Sequence, residues 1–289
     1  MLQFQPVKDI VFSTKNTLNI KGKIIDLSTP KVMGIINVTP DSFYPGSRTV
    51  DEKAVLEKAE KMLEAEATFL DIGGYSSRPG SHDIPAEEEI RRITRAIRTI
   101  MQHFPDAIIS IDSFRTSVVK SAFDEGAVMI NDISGGVLDT EMFQTVAALR
   151  APYILMHMKG TPQTMQLLAN YEDVVLEVMD YFQKRVIELQ NFGVFDIILD
   201  PGFGFSKTVD QNYVLLKNLG YFNALEFPIL VGLSRKTMIS KTLRGRPEDT
   251  LNGTTVLNTI ALMHGAKILR VHDVKEAVEA VSLFEACNL

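Results

Sequence analysis

Eight short apolar runs recur along the chain: Val32 to Ile36, Phe69 to Ile72, Ile108 to Ile111, Val128 to Ile130, Tyr153 to Met156, Ile197 to Leu199, Ile229 to Leu233 and Ile268 to Val271. Each is too short for a helix and is bounded by Gly, Pro or polar residues, which is the signature of a buried strand. Helical patterns lie between them. Val55, Ala59, Met62 and Leu63 share one helical face. Val175, Val178, Met179, Phe182, Val186 and Leu189 mark a long amphipathic helix, and Val274, Ala277, Val278 and Val281 mark the last one. Thr49 and Glu52 have the spacing of a capping box before the first helix, and Asp273 stands where it would cap the last. Alternating strands and helices imply a parallel sheet with right-handed crossovers. Eight such units suggest a closed (β/α)8 barrel. A doubly wound open sheet has the same periodicity and stays open as the alternative. Ahead of the first run, Thr17 to Ile20 and Ile24 to Leu27 flank Lys21-Gly22-Lys23, which reads as a β-hairpin covering the bottom of the barrel.

The length of 289 residues and the 45% hydrophobic content suit one large core, so residues 1–289 are expected to form a single domain. The formal charge is −6, from 30 basic and 36 acidic residues, and no basic run is present. No nucleic-acid partner is therefore expected. The lone cysteine, Cys287, cannot form an intramolecular disulfide, and no zinc-type cluster of Cys and His exists. No signal peptide or membrane-spanning run is apparent, so a cytoplasmic protein with no membrane partner is the expectation.

Chemistry collects at the ends of the runs. They finish in Asn37, Asp71, Asp112, Asn131 with Asp132, His157 and Asp200; the seventh leads into Ser234, Arg235 and Lys236, and the eighth carries Arg270 and His272. In a parallel barrel all these ends share one face, where barrel active sites lie. Any single Asp or Asn after a strand is as well explained by a turn or a cap. Eight polar strand ends together favour a functional face. Two Gly- and Pro-containing loops, 39–46 and 73–80, extend it. Arg78, Lys236 and Arg270, with His272 and His157 as further candidates, read as a cationic site for phosphate or carboxylate. Arg270 in particular would be a costly bare cation at the end of an apolar strand unless an anion visits it. The pattern contains no Walker A sequence, dinucleotide fingerprint or nucleophile elbow.

The motifs resemble those of the dihydropteroate synthases. Met33-Gly34-Ile35-Ile36-Asn37-Val38-Thr39-Pro40-Asp41-Ser42-Phe43 is very close to the first signature of that family, and Asp71-Ile72-Gly73-Gly74-Tyr75-Ser76-Ser77-Arg78-Pro79-Gly80 resembles the second. Ser110-Ile111-Asp112-Ser113, Ile130 to Gly136, Met156-His157-Met158, Leu199 to Phe205, Gly232 to Lys236 and Arg270 to Asp273 follow in family order. Two departures stand out. Tyr75 and Ser77 replace the usual Glu and Thr, and Tyr44-Pro45-Gly46-Ser47 replaces the usual acidic residue and glycine pair.

The resemblance implies a TIM barrel and a homodimer packed through late helices. It implies condensation of a dihydropterin pyrophosphate with p-aminobenzoate, releasing pyrophosphate, in folate biosynthesis. By position, Asp71, Asp112, Asn131, Asp200 and Lys236 would hold the pterin. Asn37, Arg78, Arg270 and His272 would meet pyrophosphate. Phe43, Ser77, Arg78, Pro79, Ser234 and Lys236 would surround p-aminobenzoate, the substrate that sulfonamides imitate. Mg2+ would be the cofactor, with Asn37 its single protein ligand. Asp112, Asp200, Lys236 and Arg270 would carry a dissociative reaction that needs no enzyme nucleophile. Two other readings are weighed against this one. A methyltetrahydrofolate-binding methyltransferase domain explains the pterin residues but neither the two loops nor the anion site. A non-catalytic pterin-binding homologue leaves the intact Asn37, Asp112, Lys236 and Arg270 without a purpose.

Overall fold

The computed structural model describes residues 15–38, 48–76 and 83–287. It opens with the expected antiparallel hairpin, β1 (Thr17–Ile20) and β2 (Lys23–Asp26). Eight parallel strands follow: β3 (Lys31–Asn37), β4 (Phe69–Gly73), β5 (Ile109–Asp112), β6 (Met129–Asp132), β7 (Tyr153–Met156), β8 (Ile197–Asp200), β9 (Ile229–Val231) and β10 (Ala266–Val271). They close in the order β10-β3-β4-β5-β6-β7-β8-β9. The open-sheet alternative is thereby excluded, because β10 hydrogen-bonds to both β9 and β3.

Between the strands run α1 (Arg48–Glu64), α2 (Ala86–His103), α3 (Thr116–Asp124), α4 (Met142–Leu149), α5 (Val174–Asn191) and α6 (Val209–Lys217). Two helices, α7 (Thr237–Leu243) and α8 (Leu251–Met263), share the last crossover, and α9 (Val274–Cys287) ends the described chain. Local chemistry sets several starts. Asp173 accepts from Val175 and Leu176 amides to cap α5, and Thr208 with Gln211 forms a capping box on α6. Asp273 does not cap α9 through its side chain as expected. Its carboxylate takes a two-pronged bond from Arg235 instead. The proposed Thr49–Glu52 box involves a side chain outside those described.

The strand period of two divides the core. Outward residues such as Ile72, Ile111, Leu155 and Leu199 pack under the helices. Inward residues at the lower end, including Met33, Phe69, Met129, Ile154, Ile198 and Ile268, meet Leu18, Ile20, Ile25 and Leu27 of the hairpin in a separate apolar cluster. The hairpin thus fills the floor of the barrel. Lys15, just before it, binds Asp196 at the foot of β8 at 2.7 Å. Above this floor the inward positions turn polar. No helix among the described residues is long and apolar enough to cross a membrane.

Candidate active site

Parallel register brings the polar strand ends into rows. Asn37 pairs with Gly73, Gly73 with Asp112, and Asp112 with Asn131 along β3, β4, β5 and β6. One residue pair lower, Ile35, Asp71 and Ser110 align. The strand period therefore aims Asp71 and Asp112 into the same barrel mouth.

Arg270 enters from β10. Its Nε donates to Asp71 Oδ2 at 2.6 Å and its Nη2 donates to Asp112 Oδ2 at 2.5 Å. Asn131 Nδ2 donates to the same Asp71 oxygen at 2.9 Å. Arg270 is therefore not the bare cation that its place in the sequence suggested. Two internal carboxylates balance it. They use two of the five guanidinium N–H groups and leave the remaining edge for a ligand. Burial opposes the Arg270 charge, but Asp71 and Asp112 together hold its pKa above the ordinary value. Burial pushes Asp112 up to about 7, with Arg270 opposing and the Asp71, Glu89 and Asp132 charges adding to the rise. Asp71 is completely buried, and its Oδ1 has no hydrogen-bond partner among the described residues, nor has Ser110 Oγ on the adjacent strand.

A second group forms around Asp200. Its Oδ1 accepts from the Gly202 amide at 2.8 Å. Burial raises its pKa, and Lys236 opposes the rise. Lys236 donates to the carbonyl of Phe203 and lies 4.9 Å from the centre of the Phe205 ring. Burial lowers Lys236 to about 8. A third pair joins β9 and β10: Ser234 Oγ lies 3.0 Å from His272 Nδ1 and accepts from the His272 amide at 3.2 Å. Burial and then Arg270 push His272 down to about 4, so it serves near neutral pH as an uncharged imidazole. The same correction applies to His157. Burial holds its pKa well below the usual range, with the Lys207 and Lys159 charges adding to the fall.

Asn37 stands at the rim of this mouth. A Cβ on Gly73 would lie 3.5 Å from both Asn37 Oδ1 and Asp112 Oδ2. The glycine leaves a gap flanked by two hard oxygen donors, which is the donor chemistry that magnesium takes. Among the described residues no cluster of three or more His, Cys, Asp or Glu could hold a metal ion.

The structure thus gathers Asn37, Asp71, Asp112, Asn131, Asp200, Ser234, Lys236, Arg270 and His272 at one mouth. Phe43, Ser77, Arg78 and Pro79 lie outside the described residues. Asp132 takes the bland role. It accepts from the Ser134 and Gly136 amides and the Tyr153 hydroxyl, and so shapes a turn. Sequence reasoning missed three residues near the site. Phe205 lies beside Lys236, and the repeated aromatic in Gly-Phe-Gly-Phe was its one signal. Lys207 is buried, and Arg115 joins Asp83 to buried Glu89.

Residues 33–272 match the family described as pterin binding enzyme. The chain is 41% identical over 268 residues to the dihydropteroate synthase of Escherichia coli strain K12, covering 92% of this chain and 94% of that one. It is 39% identical over 271 residues to the dihydropteroate synthase of Haemophilus influenzae, covering 93% and 98%. Its fold matches a Xanthomonas albilineans dihydropteroate synthase solved with 4-aminobenzoic acid, with a TM-score of 0.87 and 37% identity over 95% of this chain and 99% of that one. The same bacterial enzyme in complex with 7,8-dihydropteroate gives a TM-score of 0.84 at 35% identity, covering 94% and 98%.

Proposed function

The chain belongs to the pterin-binding enzyme family and is a transferase of the dihydropteroate synthase kind, and from that premise we propose how its residues perform the condensation of dihydropterin pyrophosphate with p-aminobenzoate. The observation that carries the reading is the Arg270–Asp71–Asp112–Asn131 network, which presents a cation edge and carboxylates to the same opening.

The pterin ring lies among Asp71, Asp112, Asn131, Asp200 and Lys236. Its aminopyrimidinone edge alternates donors and acceptors, so a buried ring needs both carboxylates and an amide as partners. Its pyrophosphate faces the free edge of Arg270, neutral His272 and Asn37, with Arg78 added from the second loop. Magnesium, when bound beside Asn37, supplies charge that offsets the departing diphosphate. The C–O bond to diphosphate breaks and its electron pair leaves with the diphosphate. The methylene cation that remains is delocalised into the dihydropterin, and the Asp112 and Asp200 carboxylates stabilise it. The arylamine of p-aminobenzoate, held near Phe43, Ser77, Pro79, Ser234 and Lys236, then forms the C–N bond and sheds a proton. No protein nucleophile is needed, and Cys287, exposed near the end of α9, takes no part.

The same reading treats the chain as one domain of a cytoplasmic enzyme. It also treats the chain as half of a homodimer, and exposed Val256 and Met263, seven residues apart on one side of α8, offer apolar contact to a second copy. The test is diphosphate release on mixing protein, dihydropterin pyrophosphate, p-aminobenzoate and magnesium. Release that requires both substrates, with dihydropteroate formed in equal amount, supports the proposal. Release without p-aminobenzoate, or none at all, overturns it.

A further inference from the structure

Lys207 is a lysine with no role in the reaction described above, yet it is only 4% exposed. Its ammonium group sits in a cage of acceptors. Nζ lies 3.0 Å from His157 Nδ1, 3.0 Å from the Gly202 carbonyl, 3.0 Å from the Phe205 carbonyl and 3.3 Å from the His157 carbonyl. The cage gives the buried amino group hydrogen-bond partners, while burial still lowers its pKa well below the usual lysine range, with Asp200 opposing the fall. The cage also binds two segments together: His157, just after β7, and the turn at 201–207, just after β8.

That turn makes the second group of the candidate site. The Gly202 amide donates to Asp200 Oδ1, and the Phe203 carbonyl accepts from Lys236. Lys207 grips the carbonyls on either side of these contacts, at Gly202 and Phe205. Gly202 is pressed so closely against His157 that a Cβ there would lie 2.1 Å from the His157 carbonyl oxygen, and its φ is +70°. The turn therefore has little freedom while Lys207 holds it, and the two side chains it orients inherit that constraint. A Met side chain in place of Lys207 would fill similar space and donate to none of these acceptors, of which the Gly202 carbonyl would keep only its bond from the Phe205 amide.

We propose that Lys207 is a positioning residue for the pterin end of the site, acting as an internal cross-link that fixes Asp200 and Lys236 through the turn at 201–207. The inference rests on the assignment of Asp200 and Lys236 to the pterin. It adds a residue that touches no substrate.

The experiment compares wild-type protein with Lys207→Met and His157→Phe by calorimetric titration. The His157 variant removes the Nδ1 acceptor and keeps an aromatic ring against Tyr181, whose ring centre lies 4.9 Å away. Two probes are used: free dihydropterin, and inorganic diphosphate with magnesium. Dihydropterin affinity is expected to fall at least about tenfold in Lys207→Met and at least about threefold in His157→Phe, the range expected when orienting partners of a site are lost. Diphosphate affinity is expected to stay within about twofold, because Arg270 and His272 are held by other contacts. Equal loss for both probes means general loosening of the fold and overturns the inference. Unchanged dihydropterin affinity in a folded variant does so too; if Lys207→Met does not fold, His157→Phe alone decides. Wild-type protein that binds no dihydropterin overturns the functional reading, and the inference with it.

Discussion

Arg270 and Asp71 stand 199 residues apart in the chain and meet at 2.6 Å inside the barrel. The pair is buried on the Asp71 side and one-fifth exposed on the Arg270 side. It links the last strand to the second, across the first. Replacing Arg270 with Ala strands Asp71 and Asp112 without their cation. Breaking a buried pair from one side costs about 3–5 kcal/mol, so Arg270→Ala should lower the urea midpoint clearly at unchanged slope. Turnover of the pyrophosphate substrate should fall more than affinity for the free pterin. Unchanged stability would mean that the ion pair does not form in solution.

Asp200→Asn keeps the shape of the side chain and the bond from the Gly202 amide but removes the charge. Losing a charge-assisted hydrogen bond to the pterin should weaken its binding by roughly 1.5–3 kcal/mol. Calorimetry with free pterin reads this directly, and equal affinity would remove Asp200 from the pterin site.

The pH profile follows from two shifted groups. Asp112, raised to about 7, is neutral below that value and anionic above it. Lys236, lowered to about 8, is charged below that value and neutral above it. If the Asp112 anion stabilises the methylene cation and the Lys236 cation holds substrate, kcat/KM rises through about pH 7 and falls above about pH 8. Asp112→Asn should remove the rising limb and leave the falling one. A flat profile from about pH 6 to about pH 9 would contradict both roles.

The strands and the polar mouth were legible because each rests on a local rule, whereas closure of the barrel rests on the pairing of β10 with β3, which periodicity does not report. A short apolar run makes a strand, and parallel strands put their ends on one face. The partners of Arg270 were not legible. Whether a cation at a strand end meets a visiting anion or an internal one depends on side chains up to 199 positions away. Lys207 was invisible for a different reason. Three of the four acceptors around it are backbone carbonyls, and these look alike at every residue. The neutral state of His157 and His272 likewise follows from burial, which spacing does not report.

Tyr75, one of the two residues that depart from the second family motif, has local partners. It packs edge-on against Phe114 at 5.2 Å, its hydroxyl accepts from Gln163 at 2.8 Å, and Arg115 lies 5.3 Å from its ring centre. Arg115 also bridges Asp83 and Glu89, each at 2.9 Å. Glu89 is fully buried and has Oε1 unpartnered among the described residues. Tyr75→Phe should therefore cost little, about 0.5–1.5 kcal/mol for one hydrogen bond near the surface. Arg115→Ala, which leaves a buried carboxylate without its cation, should cost about 3 kcal/mol or more. Thermal denaturation of the two variants ranks them, and the reverse order would show that the aromatic contact and not the ion pair fastens this corner.

The hairpin floor makes the barrel a cup and not a pipe. Leu18, Ile20, Ile25 and Leu27 stop its lower end, so the feet of β4, β5 and β6 are held by apolar packing while their upper ends carry the polar mouth. A pterin seated in the mouth then acts as a cork. Deuterium should enter the amides of these strands more slowly with pterin bound, including amides that no ligand atom touches. Loosening the floor with Leu18→Ala should speed exchange at the feet of these strands and leave the pterin-dependent protection at their upper ends in place.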